Sequence, residues 1–433
     1  MDRPRRGRRG SVLAGWTLLA LSLGMLLPSG SSWANPAIPV APTVHAFSST
    51  TAKENYSPGW SNVSNGLGEN EVPPARTGSA GALYPEYSSW VVYGGRDALG
   101  SALNDTLLFV TGEGEWDILD EFWNGHRPSS PPPLSGAALA FDAADGYILL
   151  FGGELSNGSD SGGTWALSGA TWNELRWTQI APAGPTPPPS SSDRLVYDST
   201  DGYALLYTGT QTSPTWSYRA GVWTPLASPQ VPPPRREPAL IDDPELGGVV
   251  LFGGSAPLPN TTLLNDTWLY RDGNWSRIAT PIGPPPMIGP TGVVDGSDGY
   301  ILMIGETSGG PGGSGGEATW GLTGIRWSNL SATPGPPPPG RQGAVMFYDA
   351  LDRTVLLYGG TLAGQGTVLG DLWAWNLPTE ATDSRTAAFP LSPEVLVFVG
   401  IGGVVPPVLA WAFFRRPPRR QPTDVPSPSP APA

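Results

Sequence analysis

The chain has 433 residues, a net charge of -13, no cysteine and only two histidines, His45 and His126. Without thiols it can form neither disulfide nor thiolate nucleophile nor cysteine-held metal centre, and its acidic balance disfavours nucleic acid as a partner. Gly 58 and Pro 51 would suggest low complexity, but apolar runs return at a regular step between them, and 18 Trp, 13 Tyr and 11 Phe supply a core.

In chain order, residues 1–34 read as a secretory signal. MDRPRRGRRG is the basic start, an apolar run from Ser11 to Leu27 follows, and small Ser32 and Ala34 occupy the cleavage positions. Residues 35–58 are a linker. The next signal is GWSNV from Gly59, with Trp60 three residues before Val63.

Six Gly-ended apolar runs follow. They are WVVYGG from Trp90, DGYILLFGG from Asp145, DGYALLYTG from Asp201, GGVVLFGG from Gly247, DGYILMIG from Asp298 and TVLLYGG from Thr354. A step of about 50 residues predicts stacked supersecondary units. Each run is preceded by a Pro cluster and a strand of small residues, as in SGAALAFD from Ser135, where Gly and Ala permit close approach near an axis. A third strand follows, as in NDTWLYR from Asn265, and then a Trp-led fourth strand, at Trp116, Trp177, Trp223, Trp275 and Trp327. Four strands per unit is the composition of a propeller blade.

After a second linker, 378–393, the segment 394–414 includes 20 uncharged residues, Val395 to Phe414, enough for one membrane-crossing helix. The basic, Pro-rich tail 415–433 is then expected on the cytoplasmic side, with the repeats outside the cell. Eight sequons suit that topology: Asn55, Asn62, Asn104, Asn157, Asn260, Asn265, Asn274 and Asn329. Export, one anchor and many sequons without cysteine suit an archaeal envelope.

The repeat order resembles kelch repeats. Its marks are the pairs Gly94-Gly95, Gly152-Gly153, Gly253-Gly254 and Gly359-Gly360, and an aromatic followed by a spaced Trp, as in Trp268 and Trp275. Thr208 replaces the first Gly in repeat three, Glu306 the second in repeat five, and Leu107 the Trp in repeat one. The resemblance covers about 59–377 and implies an all-β, six-bladed propeller. Repeat six stops at LWAWN with no Trp-led fourth strand, so GWSNV at the other end is expected to complete it and close the ring. Closure removes an exposed sheet edge.

In kelch domains that recruit partners, the loops after the Gly pairs and those leading into each repeat line one recognition mouth. By position these supply Arg96, Asp97, Glu154 and Glu306 from the first set and Arg76, Arg194, Arg235, Arg236 and Arg341 from the second. Arg forks suit acidic or hydroxylated ligands, whereas the same residues in a packing role would form rim ion pairs. Of the tryptophans, Trp90, Trp123, Trp172 and Trp375 lie off the fourth-strand register and are the candidates for exposure. No acidic run has calcium-loop spacing, SGGPGGSGG from Ser308 lacks the lysine of a phosphate loop, and no cofactor is indicated. The expectation is a cell-surface module binding a protein or glycan. The alternatives are a sugar-acting, epimerase-like propeller enzyme and a structural glycosylated envelope protein; copper radical oxidase chemistry is excluded by the absence of cysteine and the presence of only two histidines.

Overall fold

The computed structural model describes residues 59–376, apart from 65–71, 112–114, 120–129, 172–173, 211–213, 258, 260–261, 297, 308–316, 334–335 and 363–364. Six four-stranded antiparallel sheets form the blades of an all-β propeller. The expected signal, linkers, membrane segment and tail lie outside the described residues; among those described, no helix is long and apolar enough to cross a membrane.

Blade 1 runs from Ala80–Tyr84 to Glu115–Ile118, and blades 2 to 5 follow in chain order. Blade 6 takes Val345–Asp349, Thr354–Tyr358 and Leu372–Asn376 from the end of the repeats and its fourth strand, Gly59–Asn62, from the start. Trp60 sits opposite Trp375 in this pairing, their rings 5.3 Å apart and edge-on. The ring therefore closes as the unpaired Trp60 strand predicts.

The order of residue types across a blade follows from crowding. At the axis, a Cβ on Gly81 would stand 2.4 Å from a Val345 methyl of blade 6, so only glycine fits there. Second strands are buried on both faces by neighbouring blades: Gly248–Phe252 is buried throughout, as a strand apolar on both sides should be. At the end of the inner strand an Asp folds the turn back; the Asp198 carboxylate accepts the Thr200 and Asp201 amides, both at 3.0 Å. In blade 5 the second Gly is Glu306, and the strand does not stop there but continues as Tyr300–Thr307.

Blades are joined by a repeated bond. The fourth-strand Trp of one blade donates its indole N–H to the Thr opening the third strand of the blade before it. The pairs are Trp177 to Thr106 (2.9 Å), Trp223 to Thr164 (3.2 Å), Trp275 to Thr215 (2.9 Å), Trp327 to Thr267 (3.0 Å) and, through the N-terminal strand, Trp60 to Thr319 (2.9 Å). A second seam bond joins Tyr147 to Tyr218 and Tyr203 to Tyr270 at 2.8 and 2.9 Å. These tryptophans are interblade packing, and so is Trp375, which is 1% exposed and donates to Tyr300 at 3.0 Å. That corrects the expectation of an exposed Trp375: its place in the third strand of blade 6 turns it into the core. Trp90 is half-buried and donates to the Tyr348 carbonyl; Trp123 and Trp172 lie outside the described residues.

Candidate binding face

The loops after the Gly runs and the loops leading into each repeat meet at one end of the channel, as backbone pairing shows. Thr77 and Arg96 exchange amide-carbonyl bonds of 3.0 and 2.8 Å, and Arg236 and Ser255 do the same at 2.8 and 3.0 Å. Ser135 pairs with Glu154 and Gln342 with Thr361. A cavity of about 450 Å³ runs down the axis between the inner strands, and Arg194, Arg236, Glu237, Glu154 and Gln342 are its charged and amide-bearing lining groups.

Three of the five candidate arginines of the approach loops do not reach this mouth. Arg76, Arg235 and Arg341 are 1%, 1% and 2% exposed. Each forks onto one aspartate: Arg76 onto Asp105 at 2.8 and 2.8 Å, Arg235 onto Asp266 at 2.7 and 2.9 Å, Arg341 onto Asp371 at 2.6 and 3.0 Å. Each also donates to a Gly carbonyl at the end of its second strand and to the Pro carbonyl two residues upstream. With their donors engaged inside the blade, they are structural ties. The repeats record this internally: where the arginine is replaced, by Leu134, Ser190 and Met287, the aspartate is replaced too, by Gly163, Pro214 and Ala318. Burial by itself raises the Asp266 carboxyl, but hydrogen bonds from Arg235 and Trp268 outweigh it and hold the group below its usual range.

The other candidates stay near the face. Arg96 and Glu154 form an ion pair of 2.7 Å across blades 1 and 2, both partly exposed. Asp97 accepts the Leu99 and Ser101 amides and shapes its own loop. Arg236 is exposed, and its guanidinium reaches the Ser192 hydroxyl at 3.3 Å. Arg194 crosses from blade 3 to donate to the Pro238 carbonyl of blade 4 at 3.0 Å; burial pushes its pKa down against the opposing charges of Glu237 and Asp193. Glu306 lies one residue before the end of the fifth blade's second strand, and burial raises its carboxyl.

Of the sequons, Asn55 and Asn260 lie outside the described residues. Asn62, Asn157, Asn265, Asn274 and Asn329 are exposed and Asn104 is half-buried.

Sequence reading missed Asp193. It occupies the position held by Ser79, Ala137, Pro238, Pro290 and Ala344 in the other blades, so alignment of the repeats residue by residue marks it as the one acid there. It is 0% exposed, and burial raises its carboxyl to about 7, partly offset by Ser190 and Arg194. Among the described residues, no three His, Cys, Asp or Glu side chains group as a metal centre.

No family model matches the chain. Over 136 residues it is 32% identical to multiple epidermal growth factor-like domains protein 8 of Rattus norvegicus, and over 130 residues 32% identical to the Homo sapiens protein. These matches take in 30% of this chain and 4% of those proteins; the chain corresponds to a small segment of them. Among solved structures, the one described as "Structure of YjhT" superposes with a TM-score of 0.50 at 15% identity, covering 70% of this chain and 95% of that one. The likeness is one of fold: a six-bladed β-propeller.

Proposed function

We propose that the chain is a cell-surface interaction module, a kelch-type propeller exported by residues 1–34, held by the helix expected at 394–414, glycosylated on exposed sequons, and binding a protein or glycan at the mouth of its channel. The observation that carries this reading is a division of labour among the arginines. Arg76, Arg235 and Arg341 are consumed by packing, while Arg236 stands exposed and, with Glu237 and Gln342, lines a cavity of about 450 Å³. Fixed forked donors above a concave, polar opening suit carboxylates and hydroxyls. The partial likeness to large proteins with epidermal growth factor-like domains fits an extracellular setting.

The test is binding of the purified chain to glycan and envelope-protein panels. Arg236→Glu is expected to weaken a saturable interaction about tenfold or more, the cost typical of an anchoring arginine. Arg326→Glu is exposed on a third-to-fourth-strand turn at the other end of the blades, and it should leave binding unchanged. Equal loss in both variants would sink the placement at the mouth. A second reading, a sugar-acting enzyme, is favoured by one observation, the carboxyl of Glu306, which burial raises; turnover of an amino sugar that Glu306→Gln abolishes would establish it.

A further inference from the structure

At the seam between blades 2 and 3 the chain buries a carboxylate that no backbone amide or guanidinium reaches; the Ser190 side chain is the polar group that acts on it at short range. Both Asp193 oxygens lack a partner in hydrogen-bonding geometry, and the residue is fully buried. Its neighbour Arg194 does not neutralise it by contact, since that guanidinium donates to the Pro238 carbonyl and to the backbone carbonyl of Asp193. The guanidinium that blades 1, 4 and 6 place in this region is absent from blade 3, where the corresponding residue is Ser190.

The volume beside Gly152 is bordered by oxygen, one of the atoms being an Asp193 carboxylate oxygen and another the Ser190 carbonyl, which also accepts the Gly153 amide at 2.8 Å. A Cβ built on Gly152 would stand 2.7 Å from the Ser190 carbonyl oxygen, 3.8 Å from the Ser161 carbonyl oxygen and 3.8 Å from Asp193 Oδ2. Glycine, at φ +75°, leaves that volume open. Carbonyl pairs recur at the same place in other blades, as at Gly94 and Gly359, where the three nearest atoms all belong to backbone carbonyl groups. Asp160, whose charge also acts on Asp193, and the Ser190 to Ser192 run line an opening above it.

We propose that Asp193, with the Ser190 and Ser161 carbonyls, forms a site for a hard, oxygen-seeking cation of the calcium type that ties blade 2 to blade 3. A buried carboxylate without a partner costs several kcal/mol in general unless a proton or a cation neutralises it. One carboxylate and two carbonyls supply part of the six to eight oxygens such an ion takes, water supplying the rest, which makes a weak site of the extracellular class, about 10⁻⁴–10⁻³ M.

The experiment is thermal unfolding of the purified full chain, stripped with chelator, at ~5 mM Ca²⁺ and at matched ionic strength without it. A Tm rise of about 2 °C is expected in the native chain and none in Asp193→Asn, which keeps the side chain's shape. No rise in the native chain, or an equal rise in the variant, would overturn the proposal. Should the variant not fold, the native chain decides alone.

Discussion

Five seams of the ring are made by one bond, and the sixth, where blade 6 meets blade 1, is made differently. In the five, a Trp indole reaches a Thr hydroxyl across the seam. In the sixth the position of that Thr is Leu372, and the Trp116 indole N–H is buried without a partner. Ring contacts, which also cross other seams, as Trp177 on Tyr93 at 5.3 Å and Trp223 on Phe151 at 5.1 Å, are left to hold the sixth without that bond. Trp116 packs on Tyr358 at 4.9 Å and on Phe109 at 5.1 Å, Phe109 meets Phe347 at 5.1 Å, and Trp90 lies 5.2 Å from Phe347. The Tyr358 hydroxyl also donates to the Pro73 and Pro74 carbonyls of the approach to blade 1. The junction that closes the circle thus rests on aromatic area and backbone acceptors, whereas the others add a directional bond. Non-directional packing is less exacting about geometry than a hydrogen bond.

The largest test of this comparison removes the donated strand's anchor. Trp60 is 3% exposed, bonds Thr319 in blade 5 and packs on Trp375 in blade 6. Trp60→Ala should cost about 3–5 kcal/mol, the range for truncating a buried aromatic, read as a lower denaturant midpoint. If blade 6 were complete without the strand, the midpoint would scarcely move.

Next in size are the buried ion pairs, present in both blades that flank the closing seam and in blade 4. Asp371→Ala strands the Arg341 guanidinium and should cost about 3–5 kcal/mol, while Arg341→Met with Asp371→Leu should cost much less, because no charge is left behind. A double variant as damaging as the single one would mean that the pair matters for its geometry and not for mutual neutralisation. Asp371 also accepts the Trp373 indole at 2.6 Å, as Asp266 accepts Trp268 at 2.7 Å. Asp105 has no such third donor, since Leu107 stands where the Trp would be; the Asp105→Ala cost should be the smallest of the three.

The fold was legible because the propeller repeats its reasons. The Gly-ended runs mark second strands, the Trp spacing marks fourth strands, and the count mismatch at LWAWN and GWSNV places the closing strand, all from positions that every blade must satisfy. The site was legible only as a place. Arg76, Arg235 and Arg341 occupy the repeat position predicted for the mouth, yet each side chain turns inward onto an aspartate about 30 residues later that offers a fork. That partner stands just before the third strand, in NDT at Asp105 and Asp266 and in GDL at Asp371, and only its joint loss with the arginine in blades 2, 3 and 5 discloses the pairing. Asp193 escaped because one acid in a serine-rich loop is unremarkable until the other blades are laid beside it.

The smallest effect discriminates most finely between the two kinds of seam. Trp177 and Trp116 hold the same repeat position, but only Trp177 has a use for its N–H. Replacing either by Phe removes similar ring area. Trp177→Phe also breaks a buried bond and leaves the Thr106 hydroxyl without its donor, a cost of about 1–2 kcal/mol beyond packing. Trp116→Phe removes a donor that bonds nothing, so relief of its desolvation offsets part of the lost area. Measured by denaturant unfolding, Trp116→Phe should therefore be milder than Trp177→Phe by about 1 kcal/mol or more. Equal costs would mean that the Trp to Thr bond adds nothing to a seam, and that rings alone hold all six.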